Sequence, residues 1–186
     1  MIDKTPPSIA AIVSPGPNVN GWNNTNVTVT FACSDGASGI ASCPAPVAVS
    51  TEGGGQVIID TAVDKAGNSA TARVTLNIDK TPPPAPLLSA SQSILWPPDH
   101  KMTNVLLSGA ASDSGSGIAS TVITVNDEYG ICNLTVPAFG SAIPLESWRA
   151  GTDKDGRIYT ITAVITDKAG NRSTGTTTVL VPHDMR

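Results

Sequence analysis

Apolar and hydroxyl-bearing residues alternate with a period of two along several short stretches of this chain. Val27-Thr28-Val29-Thr30-Phe31-Ala32-Cys33 is the clearest, and such alternation predicts a half-buried strand. Residues 8–13 read as a strand before it. Residues 57–63 and 70–76 flank Asp64-Lys65-Ala66-Gly67-Asn68, and residues 158–165 and 174–181 flank Asp167-Lys168-Ala169-Gly170-Asn171. Each pair predicts a hairpin whose loop puts Gly67 or Gly170 in the left-handed region. No stretch carries a helical period. The pattern therefore predicts an all-β chain of antiparallel β-sandwiches, with thin cores of Val, Ile and Ala.

Two copies of one module are visible. Ile2-Asp3-Lys4-Thr5-Pro6-Pro7 recurs as Ile78-Asp79-Lys80-Thr81-Pro82-Pro83. Paired prolines fix φ and favour an extended, semi-rigid joint rather than a loose tether. Thr25 to Asp35 aligns with Thr103 to Asp113 at an offset of 78, while Asp64 to Asn68 aligns with Asp167 to Asn171 at an offset of 103. The second copy thus carries 25 more residues, between Ser120 and Asp167. We expect two tandem sandwich modules, residues 1–80 and 81–186, joined by a short Pro-rich linker, the second enlarged by an insertion across residues 121–157.

Composition narrows the partners. The chain has 186 residues, a net charge of −4 and a pI near 4.9, without a basic patch, which speaks against nucleic acid. No apolar run approaches the roughly 20 residues of a membrane span. Met1 stands directly before the linker motif, and no signal sequence is visible. We read the chain as a piece of a longer protein whose signal lies upstream.

Cys33 and Cys43 are replaced together in the second copy, by Ala111 and Thr121, as expected of a bonded pair. A disulfide here points to an oxidising setting, extracellular or at a cell surface. Cys132, in the insertion, is left over. It reads as a partly buried free thiol, with an inter-chain link as the alternative.

The linker Asp3-Lys4-Thr5-Pro6-Pro7, the opening Gly21-Trp22-Asn23-Asn24-Thr25, the loop from Cys33 to Cys43 and the Asp64-Lys65-Ala66-Gly67-Asn68 turn together resemble the immunoglobulin-like tandem repeats of bacterial secreted and surface proteins, and the expected fold is two immunoglobulin-like or fibronectin-III-like sandwiches. Leu95-Trp96-Pro97-Pro98-Asp99-His100-Lys101-Met102 and Val181-Pro182-His183-Asp184 resemble a sister module. The resemblance spans nearly the whole chain. It implies a spacer or adhesive module without catalysis of its own, whose partners are neighbouring modules of the same chain.

The residues agree that an enzyme is a poor reading. His100 and His183 stand near no nucleophile elbow or metal-ligand spacing, and His100 reads as a structural hydrogen-bonding group beside Trp96. Calcium is the better chemical candidate, because loops rich in Asp supply hard oxygens. Asp153-Lys154-Asp155-Gly156 has the look of a calcium loop, with Asp113, Asp127, Glu128 and Asp167 as further ligands. Asp35 and Asp64 are the counterparts of Asp113 and Asp167, and Asp79 at the module boundary is a third place for calcium. The competing reading makes these aspartates turn caps. Asp60 aligns with Ala163 and is expected to be exposed at an edge. Isopeptide chemistry is disfavoured, since most lysines sit in linkers and turns. Glycosylation patterns at Asn23, Asn26, Asn133 and Asn171 matter only in a glycosylating host.

Two functions remain. One is a stalk-like spacer of a larger surface or secreted protein. The other is an adhesive module that binds a glycan or a surface protein through the insertion, where Tyr129, Trp148 and Arg149 form the binding patch. Assembly into a fibre through exposed edge strands is a third.

Overall fold

In a computed structural model, residues 2–184 are described, and the chain divides into two compact units, Met1–Thr81 and Pro82–Arg186. Both are built of antiparallel sheets, and the described residues contain no helix, hence none long and apolar enough to cross a membrane.

The first unit comprises β1 (Ser8–Ser14), β2 (Val27–Ser34), β3 (Ile40–Ser42), β4 (Val47–Val49), β5 (Gly53–Asp64) and β6 (Ser69–Ile78). They form two sheets, ordered β1-β2-β4 and β3-β5-β6. The alternation in β2 does what the pattern requires. Val27, Val29 and Phe31 turn inward, while Thr28, Thr30 and Ala32 face out. They meet Ala72, Leu76 and Ile78 of β6 from the facing sheet, so one apolar layer lies between the two. At Gly67 the hairpin takes φ +91°, as the turn demands of a residue without Cβ.

The disulfide forms as expected, with Cys33 and Cys43 bonded at a Cα separation of 5.9 Å. It runs from β2 in one sheet to the segment just past β3 in the other. The two sheets around this small core are thereby tied covalently.

The second unit holds β7 (Ser89–Ala90), β8 (Met102–Ser108), β9 (Ile118–Asp127), β10 (Asn133–Val136), β11 (Ala142–Glu146), β12 (Arg157–Asp167) and β13 (Arg172–Val181). Its main sheets are ordered β10-β9-β12-β13 and β11-β8-β7. The insertion lengthens β9 to ten residues where β3 has three, adds β10 beside it, and lays β11 along β8. The result is a larger core, with Leu107, Ile123, Val125, Ile143, Leu145, Tyr159 and Ile161 almost fully buried. The backbone of Pro86 crosses β13 directly over Gly175. A Cβ there would stand 2.3 Å from the Pro86 carbonyl oxygen.

Asp60 differs from expectation. It occupies an inward position of β5, in register with Ala72, and is half-buried rather than exposed. Its carboxylate bends to accept the N–H of its own neighbour, Thr61, at 2.8 Å.

Candidate functional site

The densest acidic group of the first unit is assembled from three separate stretches. Asp3 comes from the entry hexapeptide, Asp35 from the loop after β2 and Asp64 from the end of β5, and their carboxylates lie within 4.8 Å of one another. Each also shapes the backbone around it. Asp35 Oδ1 accepts the N–H of Gly39 at 2.6 Å and of Ala37 at 3.2 Å. Asp64 Oδ1 accepts Ala66 N–H and Asn68 N–H, both at 2.8 Å, and Oδ2 accepts the Asn68 side-chain amide at 2.7 Å. Asp3 Oδ1 takes Thr5 N–H at 2.9 Å, and Oδ2 takes Ser38 N–H at 3.1 Å.

Charge effects follow from these bonds. The Thr5 and Ser38 donors hold the Asp3 carboxyl below its ordinary value. Burial pushes Asp64 up, but the Asn68 and Ala66 donors outweigh it and leave Asp64 lowered. The entry peptide itself is tied in, since the Asn68 side-chain amide also donates to the carbonyls of Asp3 and Thr5, at 3.3 and 3.4 Å.

The five aspartates singled out for calcium in the second module do not converge. Asp113 and Asp167 do approach within 4.8 Å. Asp113 accepts Gly117 N–H at 2.6 Å, and Asp167 accepts the amides of Gly170 and Asn171 at 2.6 and 2.8 Å. Asp153 is bound instead by the Tyr129 hydroxyl and by Gly156 N–H. Asp155 is exposed. Among the described residues, neither Asp127, Asp153 nor Asp155 joins a group of three potential metal ligands.

Asp127 is committed elsewhere. Its Oδ1 accepts the N–H groups of Ile131 and Cys132 at 2.9 and 2.8 Å, and Oδ2 faces the buried guanidinium of Arg157. Burial raises this carboxyl, while the Cys132 amide and the Arg157 charge pull it down further, for a net lowering. Arg157 is the residue that pattern reading passed over. Its Cζ lies 4.5, 5.4 and 5.5 Å from the ring centroids of Tyr159, Trp148 and Tyr129, an aromatic box around a cation. Nη1 reaches the Trp148 carbonyl at 3.3 Å and Glu146 at 3.6 Å.

The expected binding patch is the outer wall of this box. Tyr129 meets Trp148 edge-on at 5.9 Å, and His100 lies against Trp148 at 5.7 Å, so His100 finds Trp148 rather than Trp96 as its aromatic neighbour. His100 Nδ1 also sits 3.2 Å from Glu146. Arg149 directs its guanidinium to the carbonyls of Pro182, Ala150, Asp153 and His183. Trp148, Tyr129 and Arg149 are all half-buried. Beneath them Tyr159 is pushed by burial to a pKa of about 12, and its hydroxyl donates to the Glu146 carbonyl.

Cys132 is a free, half-buried thiol at a shallow groove of about 200 Å³ that Leu134, Glu146 and Tyr159 also line. Burial first, then the Asp127 charge, raise its pKa and keep it in the unreactive thiol form at neutral pH.

No family model matches the chain, and no curated protein matches it. Among solved structures it is similar to the fibronectin(III)-like modules of Clostridium thermocellum CbhA, at 10% identity and a TM-score of 0.40, covering 94% of this chain and 94% of that one. The functional reading therefore rests on this chain's own geometry.

Proposed function

We propose that the chain is a non-catalytic structural module of an extracellular or surface protein, a spacer that holds its neighbours at a set separation. The observation that carries this reading is the anchoring of the entry peptide. Asp3 and Thr5 are bonded to Ser38 and Asn68 of the unit they lead into, so the chain enters the unit at a fixed point. The hexapeptide stands at the head of both copies in the sequence.

Adhesion through the insertion is the weaker reading. The guanidinium of Arg149 and the hydroxyl of Tyr129 are bonded within the module itself, which leaves fewer groups for a ligand. Calcium belongs to the spacer reading as a stiffener. Turn capping accounts for Asp3, Asp35 and Asp64 without a metal, yet three carboxylates within 4.8 Å repel, and a hard divalent cation is the ligand suited to them.

Two measurements test this. A screen of the intact chain against glycan arrays and extracellular matrix proteins should give no saturable binding. Binding abolished by Arg149→Ala would replace the spacer with an adhesin. Thermal melts in millimolar calcium and in chelator should differ if the metal is bound, since a ligand of the native state raises its stability. Identical curves would leave the aspartates as turn caps alone.

A further inference from the structure

The two copies differ in how they treat one strand edge. β5 pairs with β6 without interruption from Gln56 opposite Leu76 to Val63 opposite Ser69. Asp64 donates its N–H to the Asn68 carbonyl at 3.0 Å, across the same pair of strands. Hydrogen-bonded positions alternate in an antiparallel pair, so Val57, Ile59 and Thr61 turn their N–H and C=O groups to the opposite side. On that side β3 reaches only Val63 and Asp64. Among the described residues, no strand pairs with residues 56–62 there.

The second copy shows what that edge accepts. At the offset of 103, residues 57–61 align with residues 160–164 of β12. There β9 fills the same side, from Tyr159 opposite Asp127 to Thr166 opposite Ser120. The first unit has the acceptor strand without its long neighbour. Beside the open edge, Val57 is 41% and Ile59 57% exposed, on one face. Rows of unpaired backbone groups next to exposed branched side chains are a template for strand addition.

We propose that this edge pairs with the same edge of a second copy of the chain, antiparallel, about a two-fold axis at Ile59. Edge-directed residues must face one another, which sets Ile59 opposite Ile59 of the second copy and Val57 opposite its Thr61. That register brings the exposed Val57 and Ile59 side chains of both copies together on one face. It also places the two Asp60 carboxylates diagonally rather than directly opposite. A second copy is the occupant because it brings an open edge of identical length and a self-complementary β-branched run. Asp60, by taking the Thr61 N–H, competes with the pairing and keeps it weak. A strand pair this short makes a small, weak interface.

Sedimentation equilibrium of the whole chain, from about 10 µM to about 1 mM, should show a monomer–dimer equilibrium. Ile59→Pro removes only an edge-directed N–H and should weaken dimerisation at least about tenfold. Ile59→Lys, which leaves the backbone intact, should do the same and covers the case in which the proline disturbs the strand. In a Cys132→Ser background, Ile59→Cys should form a disulfide-linked dimer on mild oxidation. Thr71→Cys, on the same face of β6, should not. Monomer at every concentration, association indifferent to both Ile59 variants, an open-ended oligomer series or equal cross-linking from position 71 would each overturn the proposal.

Discussion

Arg157 sets both Nε and Nη2 at 2.8 Å from a single oxygen of Asp127, in a pair whose side chains are 2% and 0% exposed. The two residues are 30 positions apart, at the two ends of the enlarged region. The pair fastens the insertion to the sheet it grew from, because β9 ends at Asp127 and β12 begins at Arg157.

Removing one partner strands the other charge. Asp127→Asn should destabilise the second unit by about 3–5 kcal/mol in urea denaturation. Arg157→Lys should also lose stability, since an ammonium cannot match the forked contact or lie flat among the rings. The double variant Asp127→Asn with Arg157→Met should recover part of the loss by leaving no buried charge. If it is as unstable as Asp127→Asn alone, the pair is not the source of the effect.

Acid should loosen both units. Asp3, Asp64 and Asp127 have folded pKa values below their ordinary ones. A carboxyl lowered on folding contributes stability that is complete well above its unfolded pKa of about 3.9 and is lost as pH falls through its folded value. Melting temperatures should therefore be flat from neutral pH to about 5 and fall steeply below about 4. In Asp127→Asn the acid fall of the second unit should be shallower than in the parent chain.

Reduction should act on the first unit alone. The Cys33–Cys43 bond closes a loop with a sequence separation of 10, and its loss should lower stability by about 3 kcal/mol on the chain-entropy estimate. Calorimetry with and without reductant should shift the first unit's transition and leave the second unit's in place. A shift of both would show that the units do not unfold independently.

Gly175→Ala should be costly although the aligned residue of the first copy, Ala72, already has a methyl group. The difference is Pro86, whose carbonyl oxygen and Cγ would lie 2.3 and 2.9 Å from the new Cβ. A clear fall in the second unit's melting temperature is expected, with the first unit's unchanged. An unshifted melt would mean that the segment around Pro86 moves aside freely.

The strands were readable where one face is buried and the other wet, because side-chain period then reports burial directly. β2, β5, β6, β12 and β13 are of that kind. β11 was hidden, since Pro144 sits within it, tolerated because β11 is an edge strand paired only with β8. The disulfide was readable because its two cysteines vanish together in the other copy. The joining of Asp3 to Asp35 and Asp64, and of Asp127 to Arg157, was not. Those contacts are made by chain topology across long separations, and no local periodicity encodes them. The repeated hexapeptide did mark Asp3 as unusual, although not which loops would receive it.

Asn23 carries one further consequence. Its side-chain amide donates to the carbonyls of Pro15 and Gly16, both at 3.0 Å, and its backbone exchanges bonds with Asn77 and Asp79 as the chain leaves β6. At the other end of the unit, Asn68 grips the incoming peptide. The incoming peptide is thus held by a side chain, that of Asn68, and the outgoing one by the backbone of Asn23. Replacing Asn68 would therefore release the entry peptide, whereas the exit keeps its two backbone bonds to residue 23 whatever side chain stands there.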